Sequence, residues 1–256
     1  LHIIQMLNII ENFELNPMKH NSLEYINLLA EVMKYAYSDR SKYLGDPDFY
    51  KVPIKKITSK DYAKNILSNI KIGKATPAND IYPGKHFIKE SHETTHFSVA
   101  DKSGNVVSMT YTLNSTFGSK VVIKDTGILM NNEMDDFSAA PGIPNQFNLL
   151  GAEANQITPF KRPLSSMTPT IVLKDEELFF TTGSPGGSRI ISTVLQSILN
   201  IIDFGMDLEE ATFAKRIHHQ WYPDILEFEF SLDEEINMKL QKMDYDTSVV
   251  MPLTLS

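Results

Sequence analysis

The sequence contains no cysteine, which excludes disulfide bridges and thiolate metal sites and leaves the redox setting open. It contains a single tryptophan and no apolar run approaching the roughly 18 residues of a membrane-spanning helix. Positive charge is scarce. Lys and Arg number 24 against 32 Asp and Glu, for a net charge of −8, which argues against a general nucleic-acid binder with its basic footprint. The local lysine run at Lys51, Lys55, Lys56, Lys60, Lys64, Lys71 and Lys74 reads as the solvated face of a helix. There is no internal repeat and no low-complexity tract. The apolar opening, residues 1–10, has neither a basic n-region nor a small-residue cleavage site. Ile3, Ile4, Met6, Leu7 and Ile10 instead gather on one side of a helix. Because the chain begins inside that helix, its first residue is expected to lie within a longer protein.

What is present is ordinary in bulk: 42% hydrophobic and 22% charged residues, as in globular proteins generally. The 256 residues suffice for one large domain or two small ones. Asn21 with Glu24 resembles a capping box, and Leu23, Ile26, Leu29, Ala30, Met33 and Tyr37 then recur at helical steps. Leu44-Gly45-Asp46-Pro47-Asp48 supplies turn chemistry that ends this helix, and a second, lysine-rich helix is expected over residues 59–70. Periodicity dissolves over residues 73–93, which read as a flexible tether.

Strand patterns begin beyond the tether. Residues 96–100 and 106–113 alternate around a turn, and residues 170–173 and 178–182 form a second hairpin. After Gly183-Ser184-Pro185-Gly186-Gly187 comes the clearest helix, with Ile190, Ile191, Val194, Leu195, Ile198, Leu199 and Ile202 as its core stripe. Helices followed by sheets and a further helix predict a layered α+β fold.

Five groups of residues could carry chemistry. Thr94 and Thr95 sit where the tether meets the first strand. An internal threonine hydroxyl has no base of its own. If the chain is cut between Glu93 and Thr94, however, the new α-amine, titrating near roughly 7.7–8.0, becomes that base on the same residue. Thr112 and Asn114 lie on the next strand, within reach of Thr94 if the two strands pair. The alternative, which spacing alone favours, is two threonines chosen for strand propensity.

Ser184-Pro185-Gly186-Gly187-Ser188 joins a strand end to a helix start. Its amides could form an oxyanion hole, or it could be a plain turn; no Lys-Ser/Thr follows to make it a phosphate loop. Asn131-Asn132-Glu133-Met134-Asp135-Asp136 offers acceptors for calcium or for an ammonium group, without EF-hand spacing. Ser165 and Ser166, in a proline-bounded loop, offer hydroxyls to a carboxylate or simply form turns. Adjacent His218 and His219 point to opposite faces of a strand, so they read as structural residues.

In combination these runs resemble the γ-glutamyltranspeptidase (glutathione hydrolase) family of N-terminal-nucleophile hydrolases. The resemblance rests on TTHFSVADKSGNVVSMTYTLNSTFGS, GILMNNEMDDFSAAPGIPN, KRPLSSMTPTIVL, TTGSPGGSRIISTVLQSILNIIDFGM and KRIHHQWYPD, with IIQMLNIIENF and SDRSKYLGDPDF upstream. It implies part of a four-layer αββα sandwich from which the N-terminal portion of the large subunit is missing. Residues 1–93 would be the C-terminal part of that subunit, and residues 94–256 a small catalytic subunit cut short at its C-terminus.

The resemblance further implies autocatalytic cleavage between Glu93 and Thr94, and attack by Thr94 on the γ-carbonyl of glutathione or another γ-glutamyl compound. Thr112 would position the nucleophile and Gly186 and Gly187 would hold the oxyanion. Asn114, Glu133 and Asp136 would bind the α-amino group, and Ser165 and Ser166 the α-carboxylate. The family's arginine clamp on that carboxylate has no counterpart in this sequence. The glutamyl group would pass to water, or to an acceptor amino acid or dipeptide. The implied partners are these small molecules and the two cleaved halves bound to each other, with no nucleic acid and no membrane segment. No metal or organic cofactor is implied, and the setting would be periplasmic or secreted. The same fold also serves poly-γ-glutamate depolymerases and β-lactam acylases, and an uncleaved, inactive fragment is a further alternative.

Overall fold

In the computed structural model, which describes residues 1–81, 94–140 and 142–250, the organising element is one long helix. After α1 (His2–Ile10) and the short α2 (Leu15–Met18), α3 runs from Leu23 to Tyr43. Apart from Tyr35 it is buried from Tyr25 to Ser41. A helix buried on nearly all sides must satisfy its polar residues internally, and α3 does so at Asn27, Glu31 and Asp39. Asn27 donates to the Tyr245 hydroxyl at 2.8 Å, and Tyr245 donates to Glu31 at 2.8 Å. Asp39 accepts from Gln5 of α1 at 2.6 Å and from Tyr62 at 2.9 Å. Its N-terminus differs from the expectation: the cap is Ser22, whose hydroxyl accepts the Tyr25 amide. Asn21 instead has φ 57° and donates to the Lys215 carbonyl at 3.0 Å. The capping box lies elsewhere, at Asp207 and Glu210, ahead of α8 (Leu208–Phe213).

In α1, Met6, Ile9 and Ile10 face the core while Ile4 is exposed, so the stripe is rotated from the one expected. The short α4 (Ile54–Ile57) leads into α5 (Lys60–Leu67), capped by Ser59 and buried through Ala63 and Ile66. Among the described residues no helix is long and apolar enough to cross a membrane.

The tether expected over residues 73–93 is docked in its first part. α6 (Ala78–Ile81) is held by Trp221, whose indole donates to the Ala78 carbonyl at 2.9 Å, and by Asp224, which accepts the Ala78 amide at 2.8 Å. Lys34 caps the Thr76 carbonyl at 2.9 Å. Ala75 and Ala78, small enough to fit, are buried in the core. Sequence periodicity missed this segment because polar partners distant in the chain hold it, rather than an apolar stripe of its own.

Beyond residue 94 the chain forms antiparallel hairpins, β1 (Thr95–Ala100) with β2 (Val106–Tyr111), and β3 (Thr170–Lys174) with β4 (Glu177–Thr182). The second turns through Asp175 and Glu176, both at positive φ, the geometry that matches strand twist in tight hairpins. The hairpins face each other through hydroxyl groups: Ser98 lies 3.2 Å from the Thr181 hydroxyl. On the opposite side Phe97, Val99, Val107 and Met109 form an exposed apolar row.

The buried helix α7 (Ile190–Ile202) follows β4, and a small sheet of β5 (Ile217–His218), β6 (Leu226–Phe228) and β7 (Thr247–Val249), braced by α9 (Glu234–Lys242), completes the fold. Met6, Leu28 and Met33 share one core with Leu195, Trp221 and Phe228. Each such side chain contributes about 1.5–3 kcal/mol by leaving water. Residues on both sides of Thr94 therefore build the same interior.

Candidate active site

The register of the first hairpin positions the threonines. Thr95 pairs with Tyr111 and His96 with Thr110, so continuing the ladder by one residue sets Thr94 opposite Thr112. The Thr94 hydroxyl donates to the Thr112 hydroxyl at 3.2 Å, and Thr112 accepts the Asn114 amide at 2.8 Å. Thr94 is half-buried, and its side chain looks into a cleft lined by Thr94, Thr112, Asn114, Glu133, Asp136, Phe147, Ser165, Ser166, Met167, Gly187 and Ile190.

Six separated stretches of sequence thus converge. Of the residues to which the resemblance gives a role, two are not among the lining residues. Gly186 lies one residue back, buried in the turn, and Glu93 lies outside the described residues.

The acidic wall is a turn of 3-10 helix, Glu133–Asp136. It is anchored by Asn132, whose side-chain amide donates to Asp135 at 2.8 Å and to Ser115 at 3.1 Å. Burial pushes the Asp136 carboxyl up to about 8, and the neighbouring Glu133 carboxyl adds to the rise; Arg40 and a hydrogen bond from Asn114 oppose it. Burial likewise raises Glu133. Two carboxyls this close favour sharing a proton until a cation arrives.

The opposite wall carries the hydroxyl pair. Its loop is gripped by Asp46, which accepts from the Arg162 backbone and guanidinium at 2.9, 2.9 and 2.6 Å. Those bonds hold the Asp46 carboxyl well below the usual range. Asn155 ties the two walls together: its side chain donates to the Asp136 carbonyl at 2.8 Å and accepts the Leu164 amide at 3.0 Å. Sequence reasoning missed Asn155, which sits in an unremarkable loop.

It also missed Arg40. This guanidinium is buried and donates to Ser166 Oγ at 3.0 Å, leaving its Nε without a hydrogen-bond partner. A buried arginine against Ser166 gives the cleft a cation on its hydroxyl side. The only signal in the sequence was an arginine on an otherwise core-facing helix.

The floor is the turn after β4. Gly186 has φ 127° and Gly187 φ 56°, backbone that residues with a Cβ rarely adopt. The Arg189 amide closes the turn on the Gly186 carbonyl at 3.0 Å. Just before it, a Cβ on Gly183 would lie 2.1 Å from His96 Nδ1. The His96 ring is itself fixed by Thr110 at 2.9 Å and Ser98 at 3.2 Å, so that ring alone fills the space between the strand and the Gly183 backbone. His218 and His219 lie outside the cleft, both buried.

A family model described as gamma-glutamyltranspeptidase matches residues 1–254. The chain belongs to the γ-glutamyltranspeptidase family. It is 56% identical over 229 residues to a glutathione hydrolase proenzyme of Escherichia coli, covering 90% of this chain and 40% of that protein. An acylase proenzyme of a Pseudomonas species is 38% identical over 240 residues, covering 94% of the chain and 40% of the relative. The chain thus spans about 40% of the length of these curated relatives. The γ-glutamyltranspeptidase of Pseudomonas nitroreducens, solved in complex with L-DON, aligns with a TM-score of 0.60 at 45% identity, over 62% of this chain and 85% of the solved one. A cephalosporin acylase of Bacillus halodurans aligns at 24% identity with a TM-score of 0.79 over 98% of this chain and 42% of the solved one, a likeness of fold alone. For this member of the family, mixed α/β architecture and a threonine-centred cleft coincide.

Proposed function

We propose that the full-length protein cleaves the γ-glutamyl amide bond of glutathione and related compounds, with Thr94 as nucleophile. The observation that carries this reading is the convergence of Thr94, Thr112, Asn114, Glu133, Asp136, Ser165, Ser166 and Gly187 on one cleft. An amino-acid head group needs acceptors for its ammonium and donors for its carboxylate. The carboxyl pair and Asn114 supply the first. Ser165 and Ser166, with Arg40 behind them, supply the second.

In the proposed reaction, self-cleavage between Glu93 and Thr94 frees the Thr94 α-amine. The Thr94 hydroxyl loses its proton to that amine and attacks the γ-carbonyl, and amides of the glycine turn stabilise the oxyanion. Collapse of the tetrahedral species expels the amine, which takes the proton, and leaves a γ-glutamyl ester on Thr94. Water releases glutamate from the ester; an amino acid or dipeptide takes the glutamyl group instead. In the same reading, the exposed row Phe97, Val99, Val107 and Met109 is an inner face of the four-layer sandwich, covered by the remainder of the large subunit. The two halves stay paired after cleavage, as their common core favours.

Full-length protein incubated with γ-glutamyl-p-nitroanilide should turn over faster than with glutaryl-p-nitroanilide, which lacks the α-amine. Preference for the glutaryl compound would favour acylase chemistry and overturn the proposal. Thr94→Ala should abolish the cleaved product in intact-mass spectra and lower turnover by about a thousandfold or more, on the scale of losing a catalytic nucleophile.

A further inference from the structure

The glycine turn has to hold two successive positive-φ residues in one shape. What fixes it comes from behind the cleft. The Tyr37 hydroxyl, on α3, donates to the Ser188 carbonyl at 2.5 Å, immediately after Gly187. The ring stands edge-on to His218, centroids 5.5 Å apart at 88°. His218 Nδ1 lies 2.7 Å from the Ser192 hydroxyl, which also donates to the Arg189 carbonyl at 2.9 Å. On its other side His218 Nε2 meets Gln220 Oε1 at 3.0 Å, and Gln220 donates to the carbonyl of Phe147 at 3.0 Å, a residue of the cleft wall. Every one of these side chains is buried. Buried hydrogen bonds of this kind define geometry strongly, because breaking one leaves a polar group without water to replace its partner.

We propose that Tyr37 is a positioning residue for the oxyanion turn, setting the direction of the Gly187 amide through the Ser188 carbonyl. It acts from the segment upstream of Thr94, so the turn is shaped by one half of the chain for a nucleophile carried by the other. This inference rests on the proposed γ-glutamyl hydrolase reading. Tyr37 touches no reacting atom. Its removal should therefore weaken the hold on a tetrahedral centre and spare ground-state binding.

The test uses full-length protein carrying Tyr37→Phe, which keeps the ring against His218 and deletes only the hydroxyl. Two ligands are titrated: a γ-boronate analogue of glutamate, which becomes tetrahedral on a threonine oxygen, and glutamate itself. The boronate inhibition constant should rise about 10- to 100-fold, the range expected for a small misplacement of a catalytic group. The glutamate affinity should stay within about twofold, and kcat/KM should fall in step with boronate affinity. Inhibition constants do not depend on the fraction of active protein, so mere loss of stability would leave both unchanged. Equal boronate affinity in variant and wild type overturns the inference. If Tyr37→Phe does not mature, Ser192→Ala, which frees the other end of the turn, carries the same test with the same two outcomes. Wild-type protein that fails to bind the boronate would instead overturn the proposed function, which separates the two failures.

Discussion

Two aspartates show how differently this fold treats half-buried charge. Asp224 is held 3.0 Å from the Lys34 ammonium and 3.2 Å from His219, and it accepts the Ala78 amide. Burial alone would raise its carboxyl, but these partners outweigh burial and hold it well below its usual range. Burial lowers His219 to about 4, so at neutral pH its ring is uncharged and Lys34 is the cation of the group. Asp136 is the reverse. Burial and Glu133 lift it to about 8 against a weaker pull from Arg40. The first group is satisfied and holds the root of the inter-half segment in place; the second is left short of one positive charge. A site that binds an ammonium is expected to look like the second.

Breaking the satisfied group should have the largest effect. Lys34→Met leaves Glu31 and Asp224 without their shared cation and should cost about 3–5 kcal/mol of stability, the usual penalty for orphaning a buried charge. Thermal unfolding should report a fall on the order of 10 °C, with KM for γ-glutamyl-p-nitroanilide unchanged. A large KM change with no thermal effect would mean that the two groups had been assigned the wrong way round.

Asp136→Asn should do the opposite. KM should rise about 100-fold, near 2.7 kcal/mol, as expected when a charged hydrogen-bond partner is lost. The melting temperature should hold or rise, since one of two crowded carboxyls is gone.

The smallest expected effect is the change per unit of pH. The Asp136 carboxyl is raised above its unfolded value of 3.8. Its stabilising contribution is therefore full below about pH 4 and lost as pH rises through about 8. Binding an ammonium requires the ionised form, so between pH 6 and 8 substrate binding should release a proton. KM should then fall by up to about tenfold per pH unit. Calorimetry in buffers of different ionisation enthalpy would detect that proton, and Asp136→Asn should show none.

Much of this cleft was legible in the sequence because its parts are local motifs. The Gly186-Gly187 turn, the acidic run around Glu133 and the Ser165-Ser166 pair each declare themselves within a few residues. The hairpin that carries Thr94 follows from alternation and a turn at Gly104. What remained hidden is long-range. Arg40 and Tyr37 sit on a helix whose pattern speaks only of packing, and their partners lie more than a hundred residues away. Asn155 bridges two walls through hydrogen bonds that no periodicity encodes. The docked Ala78–Ile81 turn failed for the same reason, since its hold comes from Trp221 and Asp224. The Ser22 cap was missed by a single position, because Asn21 turned out to adopt positive φ and bond elsewhere.

Gly183 gives the cleft a fixed gauge. Its bare Cα lets the His96 ring of β1 rest directly against the backbone that leads from β4 into the glycine turn. The spacing between the first hairpin and the glycine turn is thus set by one ring resting on bare backbone, a contact with no slack on the glycine side. Even one added methyl there would meet the His96 ring and push Thr94 and the Gly187 turn apart. The other walls, the acidic turn and the serine loop, are hung on hydrogen bonds instead and can be retuned one residue at a time.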